Sequence, residues 1–257
     1  MKKTYTSILS LASLMGGVLL TSCLGDGTNK THSEALFTVV KEGSAVSLYA
    51  DYGGLVRPSI KSVSDLTNNE GLKDGDRVYM LYQYTDDNIK DEPGKGKYII
   101  DAELLQGRLI PKYDVMMQSE AEAKHILDKD SLFTMTGDDS SVYFGAYRGY
   151  LTTRFNGYFS VVNNKGIYPS INMVYDPAEN ERPNELKLKL CYNRHTANDV
   201  QRASEVFFAT YPLSAFSSLI SGQDSITITI EGLGLTKART LKIGREDLRP
   251  GNYRFFN

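Results

Sequence analysis

Residues 186–190 read Leu-Lys-Leu-Lys-Leu, and residues 226–230 read Ile-Thr-Ile-Thr-Ile. Strict alternation of apolar and polar side chains has a period of two. That fits a pleated strand with one buried and one wet face, and does not fit the 3.6-residue period of a helix. The same vocabulary recurs in short β-branched and aromatic runs at 36–41, 45–51, 76–84, 97–109, 141–144, 150–155, 158–162, 170–175, 185–192, 205–211, 225–231 and 241–243. Turn formers separate them, including Glu42-Gly43, Tyr52-Gly53-Gly54 and Asp91-Glu92-Pro93-Gly94-Lys95-Gly96. The pattern predicts an all-β chain.

One segment breaks it. Ser119-Glu120-Ala121-Glu122-Ala123-Lys124-His125-Ile126-Leu127 has Ser119 placed as an N-cap with Glu122 three residues on, which predicts a short helix with Ala123, Ile126 and Leu127 on one face. It closes a first β unit at 34–130, and the strands of 131–257 form a second. Many short strands without helical crossovers predict an antiparallel sandwich there.

The first residues are set apart by composition. Met1-Lys2-Lys3, a short apolar run, and Leu20-Thr21-Ser22-Cys23 form a charged, an apolar and a cleavage region in turn. The run is too short and too broken for a transmembrane span, which needs about 20 apolar residues. Residues 1–22 are therefore expected to be a signal peptide. The Leu-x-Ser-Cys step is similar to a bacterial lipobox, so Cys23 is the expected lipid attachment site, with a diacylglycerol anchor to the membrane. Small polar residues fill a tether at 23–33. Leu24, where an Asp would favour inner-membrane retention, points to the outer membrane of a Gram-negative bacterium.

Several phrases together resemble the NigD-like lipoproteins. They are Tyr49-Ala50-Asp51 with Gly53, Gly54 and Pro58, then Gly75-Asp76-Arg77-Val78, Ile126-Leu127-Asp128-Lys129-Asp130, Gly149-Tyr150-Leu151, and Leu186 through His195. Where the family phrase reads Tyr-Leu-Asn, this chain has Tyr150-Leu151-Thr152. The resemblance implies an N-terminal OB-like barrel followed by a β-sandwich, in a cell-envelope lipoprotein linked by family history to bacteriocin immunity.

No residue pattern carries catalysis. Cys191 and His195 lie four residues apart, about 13 Å along an extended strand, too far for thiolate activation. His32, His125 and His195 lack metal-ligand spacing, and the acids at Asp86-Asp87, Asp91-Glu92 and Asp138-Asp139 lack the offsets of a calcium loop, so no metal and no cofactor is expected. Gly232-Leu233-Gly234 has neither a third glycine nor a helix to cradle a nucleotide. A net formal charge of −2, which becomes −4 once Lys2 and Lys3 are removed, argues against nucleic acid. Tyr143, Tyr147, Tyr150 and Tyr158 make the best candidate binding surface, against the plainer reading that sandwich strands favour aromatics. Asp130-Ser131-Leu132 and Asp224-Ser225-Ile226 match a short O-glycosylation pattern. The expectation is a non-enzymatic envelope lipoprotein that binds a protein partner or a ligand, with an immunity protein and a sugar-binding or hydrolytic accessory as alternatives.

Overall fold

A computed structural model describes residues 29–51, 53–67, 71–92, 96–127, 143–180, 182, 184–193, 201–220, 222–232 and 237–244. Residues 1–22, expected above to be a signal peptide, and Cys23, Ser131, Asp138-Asp139 and His195 lie outside the described residues.

The first five barrel strands are β1 (Thr31–Glu42), β2 (Ala45–Ala50), β3 (Leu55–Pro58), β4 (Arg77–Tyr84) and β6 (Gly96–Leu109), with β5 (Ile89–Glu92) forming a side hairpin on β6. They pair in the order β3-β2-β1-β4-β6, and a parallel pairing of β3 with β6 closes the ring. Numbered within the ring alone, that order is 3-2-1-4-5, the OB-like topology. Phe37, Val39, Leu48, Val56, Val78, Met80, Tyr82 and Leu104 fill the interior. β1 begins at Thr31, so His32 and Ser33, assigned above to the tether, pair instead with Gln83 and Tyr82.

A helix, α1 (Ile60–Thr67), lies between β3 and β4. Its Ser- and β-branched-rich sequence, IKSVSDLT, has weak helix propensity, which hides it from a reading by composition. What holds it is local and tertiary: the Ser62 amide donates to Ser59 Oγ at 3.2 Å, and Val63 packs into the barrel core.

The second unit contains β8 (Tyr143–Tyr147), β9 (Tyr150–Val162), β10 (Lys165–Ile167), β11 (Ser170–Tyr175), β12 (Glu185–Asn193), β13 (Gln201–Pro212), β14 (Ser225–Gly232) and β15 (Arg239–Gly244), with a one-turn helix α3 (Ser217–Ile220). A middle sheet holds β9 between β13 on one side and β8 and β10 on the other. An outer sheet runs β15-β14-β12-β11-β7, where β7 is Val115–Met117. Leu186, Leu188 and Leu190 face inward and Lys187 and Lys189 outward, as the alternation predicts. With Ile226, Ile228 and Ile230 they close on Phe155, Phe207 and Tyr211 of the middle sheet.

Four details differ from the sequence expectation. The sandwich is not purely antiparallel, because β12 pairs β14 and β11 pairs β7 in parallel. The chain achieves the first without a helical crossover by forming β13 in the opposite sheet before it returns. Residues 150–162 form one strand through Asn156-Gly157, which looks like a turn in sequence. Gly157 is required there because a Cβ would stand 2.9 Å from the Phe207 ring. The helix α2 (Gln118–Ala123) starts after Met117 as N-cap, so Ser119 lies inside it and caps nothing. Sheet membership changes between Leu109 and Val115, ahead of the division at 130.

Candidate functional site

The outer face of the middle sheet is covered by the barrel. Even-numbered residues of β9 and β13, Thr152, Arg154, Phe208 and Thr210, meet Arg77 and Tyr79 of β4 and Arg108 of β6. The connecting segment is tied to β13 along its edge: the Thr210 amide donates to Pro111 O at 3.0 Å, and the Tyr113 amide donates to Thr210 O at 2.9 Å.

At the centre of this seam is a buried ion pair. Arg77 is fully buried, and its guanidinium grips the Asp51 carboxylate through two bonds of 2.6 and 2.5 Å. The fork also donates to Thr38 Oγ1 at 2.8 Å within the barrel and to Thr152 Oγ1 at 3.0 Å in the sandwich. Thr152 is in turn 3.1 Å from Thr210 Oγ1. Arg77 Nε is buried with no partner among the described residues. A planar bidentate donor is the geometry in which such a pair offsets the cost of leaving water.

A second arginine enters from the sandwich. Tyr147 and Tyr150 pair across a two-residue turn in which Arg148 and Gly149 both have positive φ, a type I′ hairpin. The turn drives Arg148 into the barrel, where its Nη2 donates to Ala50 O at 3.2 Å and its guanidinium lies 5.0 Å over the Tyr49 ring.

Of the four tyrosines singled out above, three gather here. Burial pushes the Tyr143 hydroxyl well above its ordinary range, with neighbouring Tyr147 and then Asp51 adding to the rise and Arg77 opposing it. The Tyr150 ring lies beneath Arg77 at 5.7 Å and Lys112 at 5.6 Å, and burial raises its hydroxyl as well. Tyr158 is eight residues further along β9, about 27 Å away, so the four do not form one surface. Its carbonyl accepts from the Tyr192 hydroxyl.

The remaining chemistry-bearing residues are dispersed. Cys191 is buried with Ala121, Ile126 and Val174 beneath α2, and burial pushes its thiol up to about 11. Asp86 and Asp87 form an exposed single turn capped by Thr85 and Asn88. Asp224 is exposed and Ser225 opens β14. No group of three or more His, Cys, Asp or Glu able to hold a metal occurs among the described residues. Surface depressions among the described residues include one of about 290 Å³ between α1 and the β1–β2 hairpin, lined by Val46, Pro58, Ile60, Val63 and Leu72, and one of about 400 Å³ beside the Arg182–Glu185 ion pair.

No protein-family model matches the chain, and no curated protein is similar to it in sequence. Solved structures are similar in fold. A protein of unknown function (DUF1344) from Bacteroides vulgatus is 18% identical over 88% of this chain and 96% of its own, with a TM-score of 0.50. A protein described as toxin-related, from Parabacteroides distasonis, is 18% identical over 83% and 94%, with a TM-score of 0.53. A NigD-like immunity protein from Bacteroides caccae is also among the similar structures, 16% identical over 84% and 93%, with a TM-score of 0.47. The chain thus shares its barrel-and-sandwich fold with proteins from Bacteroides and Parabacteroides.

Proposed function

We propose that the chain is a NigD-like envelope lipoprotein, anchored to the outer membrane through lipid on Cys23, and that it acts as a non-catalytic binding module. The observation that carries this reading is the seam. The charged residues buried at the centre of the molecule, Asp51 and Arg77, are committed to each other and to Thr38 and Thr152, so they hold two domains as one body and are not presented to a substrate. The buried thiol points the same way, because burial keeps Cys191 protonated near neutral pH and far from nucleophilic use. Cys23 stands eight residues before Thr31, a reach of at most about 28 Å, which would hold the paired domains near the bilayer surface.

Metabolic labelling with an alkyne-bearing palmitate tests the anchor. The full chain takes the label and sediments with outer membranes, whereas Cys23→Ser is unlabelled and released. In-cell cross-linking of the anchored form then yields a partner or ligand that the released form loses. A wild-type chain that is unlabelled and found in the soluble fraction would defeat this reading.

A further inference from the structure

Both domains contribute to a second cluster, beside β10 and β13. Tyr168 follows β10 and is 58% exposed, yet its ring stacks on that of Phe159 with centroids 4.9 Å apart and planes 16° from parallel. Gly166 allows the stack, since a Cβ there would stand 3.1 Å from the Phe159 ring and 3.3 Å from the Tyr168 ring. Burial raises the Tyr168 hydroxyl above its ordinary value, and Glu205 of β13, beside it, adds to the rise. Glu205 Oε1 lies 3.1 Å from Arg108 Nη2 of β6, in the barrel. Arg108 is fixed in turn, donating from Nη1 to Val206 O at 3.1 Å while its guanidinium rests 5.7 Å over Phe208.

The consequence is an aromatic ring stacked on Phe159 and otherwise largely open to solvent. Bound side chains of this kind lose little conformational entropy on contact with a ligand. The ring's edge meets a carboxylate and a guanidinium instead of the apolar rim of a protein hot spot. Glu205 and Arg108 have side chains 31% and 43% exposed, so each keeps polar atoms in reach of a ligand. A pyranose matches this arrangement: its flat C–H face covers an aromatic ring, and of its adjacent hydroxyls one donates to a planar carboxylate and the other accepts from a planar guanidinium. Because the two charges cancel, the match is to a neutral sugar.

We propose that Tyr168, Glu205 and Arg108 form a binding site for a neutral glycan, completed only when barrel and sandwich are docked. The proposal deepens the binding-module reading and rests on it.

The test uses the full chain as its unlipidated Cys23→Ser form, titrated calorimetrically with cellohexaose, mannohexaose and chitohexaose. At least one is expected to bind. Tyr168→Ala then weakens binding about tenfold, the loss of one aromatic stack. Tyr168→Phe keeps the stack and retains binding, and Glu205→Gln weakens it. Thermal melts of each variant confirm that the fold is intact. No binding by any of the three sugars, or equal binding by Tyr168→Ala, overturns the site. A photo-reactive phenylalanine at position 168 in the anchored chain separates the two levels of the argument. A captured envelope protein with no sugar binding overturns the glycan site while leaving the binding-module reading in place.

Discussion

Removing one partner of the Asp51–Arg77 pair should be far more damaging than removing both. Arg77 is fully buried and Asp51 nearly so, and the carboxylate receives two of the guanidinium's short bonds. Asp51→Ala leaves a guanidinium out of water with only Thr38 and Thr152 to accept from it, which costs about 3–5 kcal/mol. For a chain of this size that lowers Tm by about 6–20 °C. Arg77→Met leaves the carboxylate stranded and should cost a similar amount. In the double variant no charge is buried and Thr152 keeps its contact with Thr210, so its loss should fall below that of either single variant, and the coupling energy between the two sites should be at least about 3 kcal/mol. The chain has 17 Tyr and no Trp, so urea melts are best followed by far-UV circular dichroism, with tyrosine emission as a second probe. Asp51→Ala should also split the unfolding transition, because the pair bonds within the barrel and across to Thr152. A single-variant loss below about 1 kcal/mol, the range of an exposed pair, would refute the reasoning, as would additive losses in the double variant.

Thr152→Val should cost about 1 kcal/mol by removing an acceptor from Arg77, while Thr152→Asn, which restores the Tyr-Leu-Asn phrase of the NigD-like proteins, should recover most of that loss in the same melts. Leu188→Ala, at a position 3% exposed between the two sheets, should cost about 2–5 kcal/mol. Cys191 in the native Cys23→Ser chain should react with a thiol reagent at pH 8 far more slowly than in urea. The direction of alkaline unfolding follows from the same burial. The folded state holds the Cys191 proton up to about 11 against an ordinary 9.0, and the Tyr143, Tyr150 and Tyr211 hydroxyls are raised likewise. Stability from these groups is therefore complete below pH 9 and falls as the pH rises through their unfolded values, and a melting temperature that stays level between pH 9 and 11 would contradict it.

What could be read from the sequence and what could not follow from distance along the chain. The Leu-Lys and Ile-Thr alternations are local, and the structure buries Leu186, Leu188, Leu190, Ile226, Ile228 and Ile230 as their spacing predicts. The parallel pairing of β12 with β14 is not local, because it depends on β13 being placed in the other sheet. Nor is α1, whose core contact at Val63 outweighs a weak intrinsic propensity. Tyr168 lies outside the dense aromatic run from Tyr143 to Phe159. The partner that stacks on that run, nine residues beyond its end, becomes visible only in three dimensions.

The seam explains why a family resemblance could be legible where chemistry was not. Tyr49-Ala50-Asp51, Gly75-Asp76-Arg77 and Gly149-Tyr150-Leu151 are separate phrases in sequence, yet they meet at one place in the fold. Asp51 binds Arg77, Arg77 stands over the Tyr150 ring, the Tyr150 hydroxyl reaches Gly75 O, and Arg148, next to Gly149, covers Tyr49. None of these residues needs a ligand to account for it, since each is accounted for by the residues of the other phrases. The phrases therefore mark how a barrel is fastened to a sandwich, and a residue that selects a ligand should be sought away from them, on surfaces such as that of Tyr168 which no phrase contains.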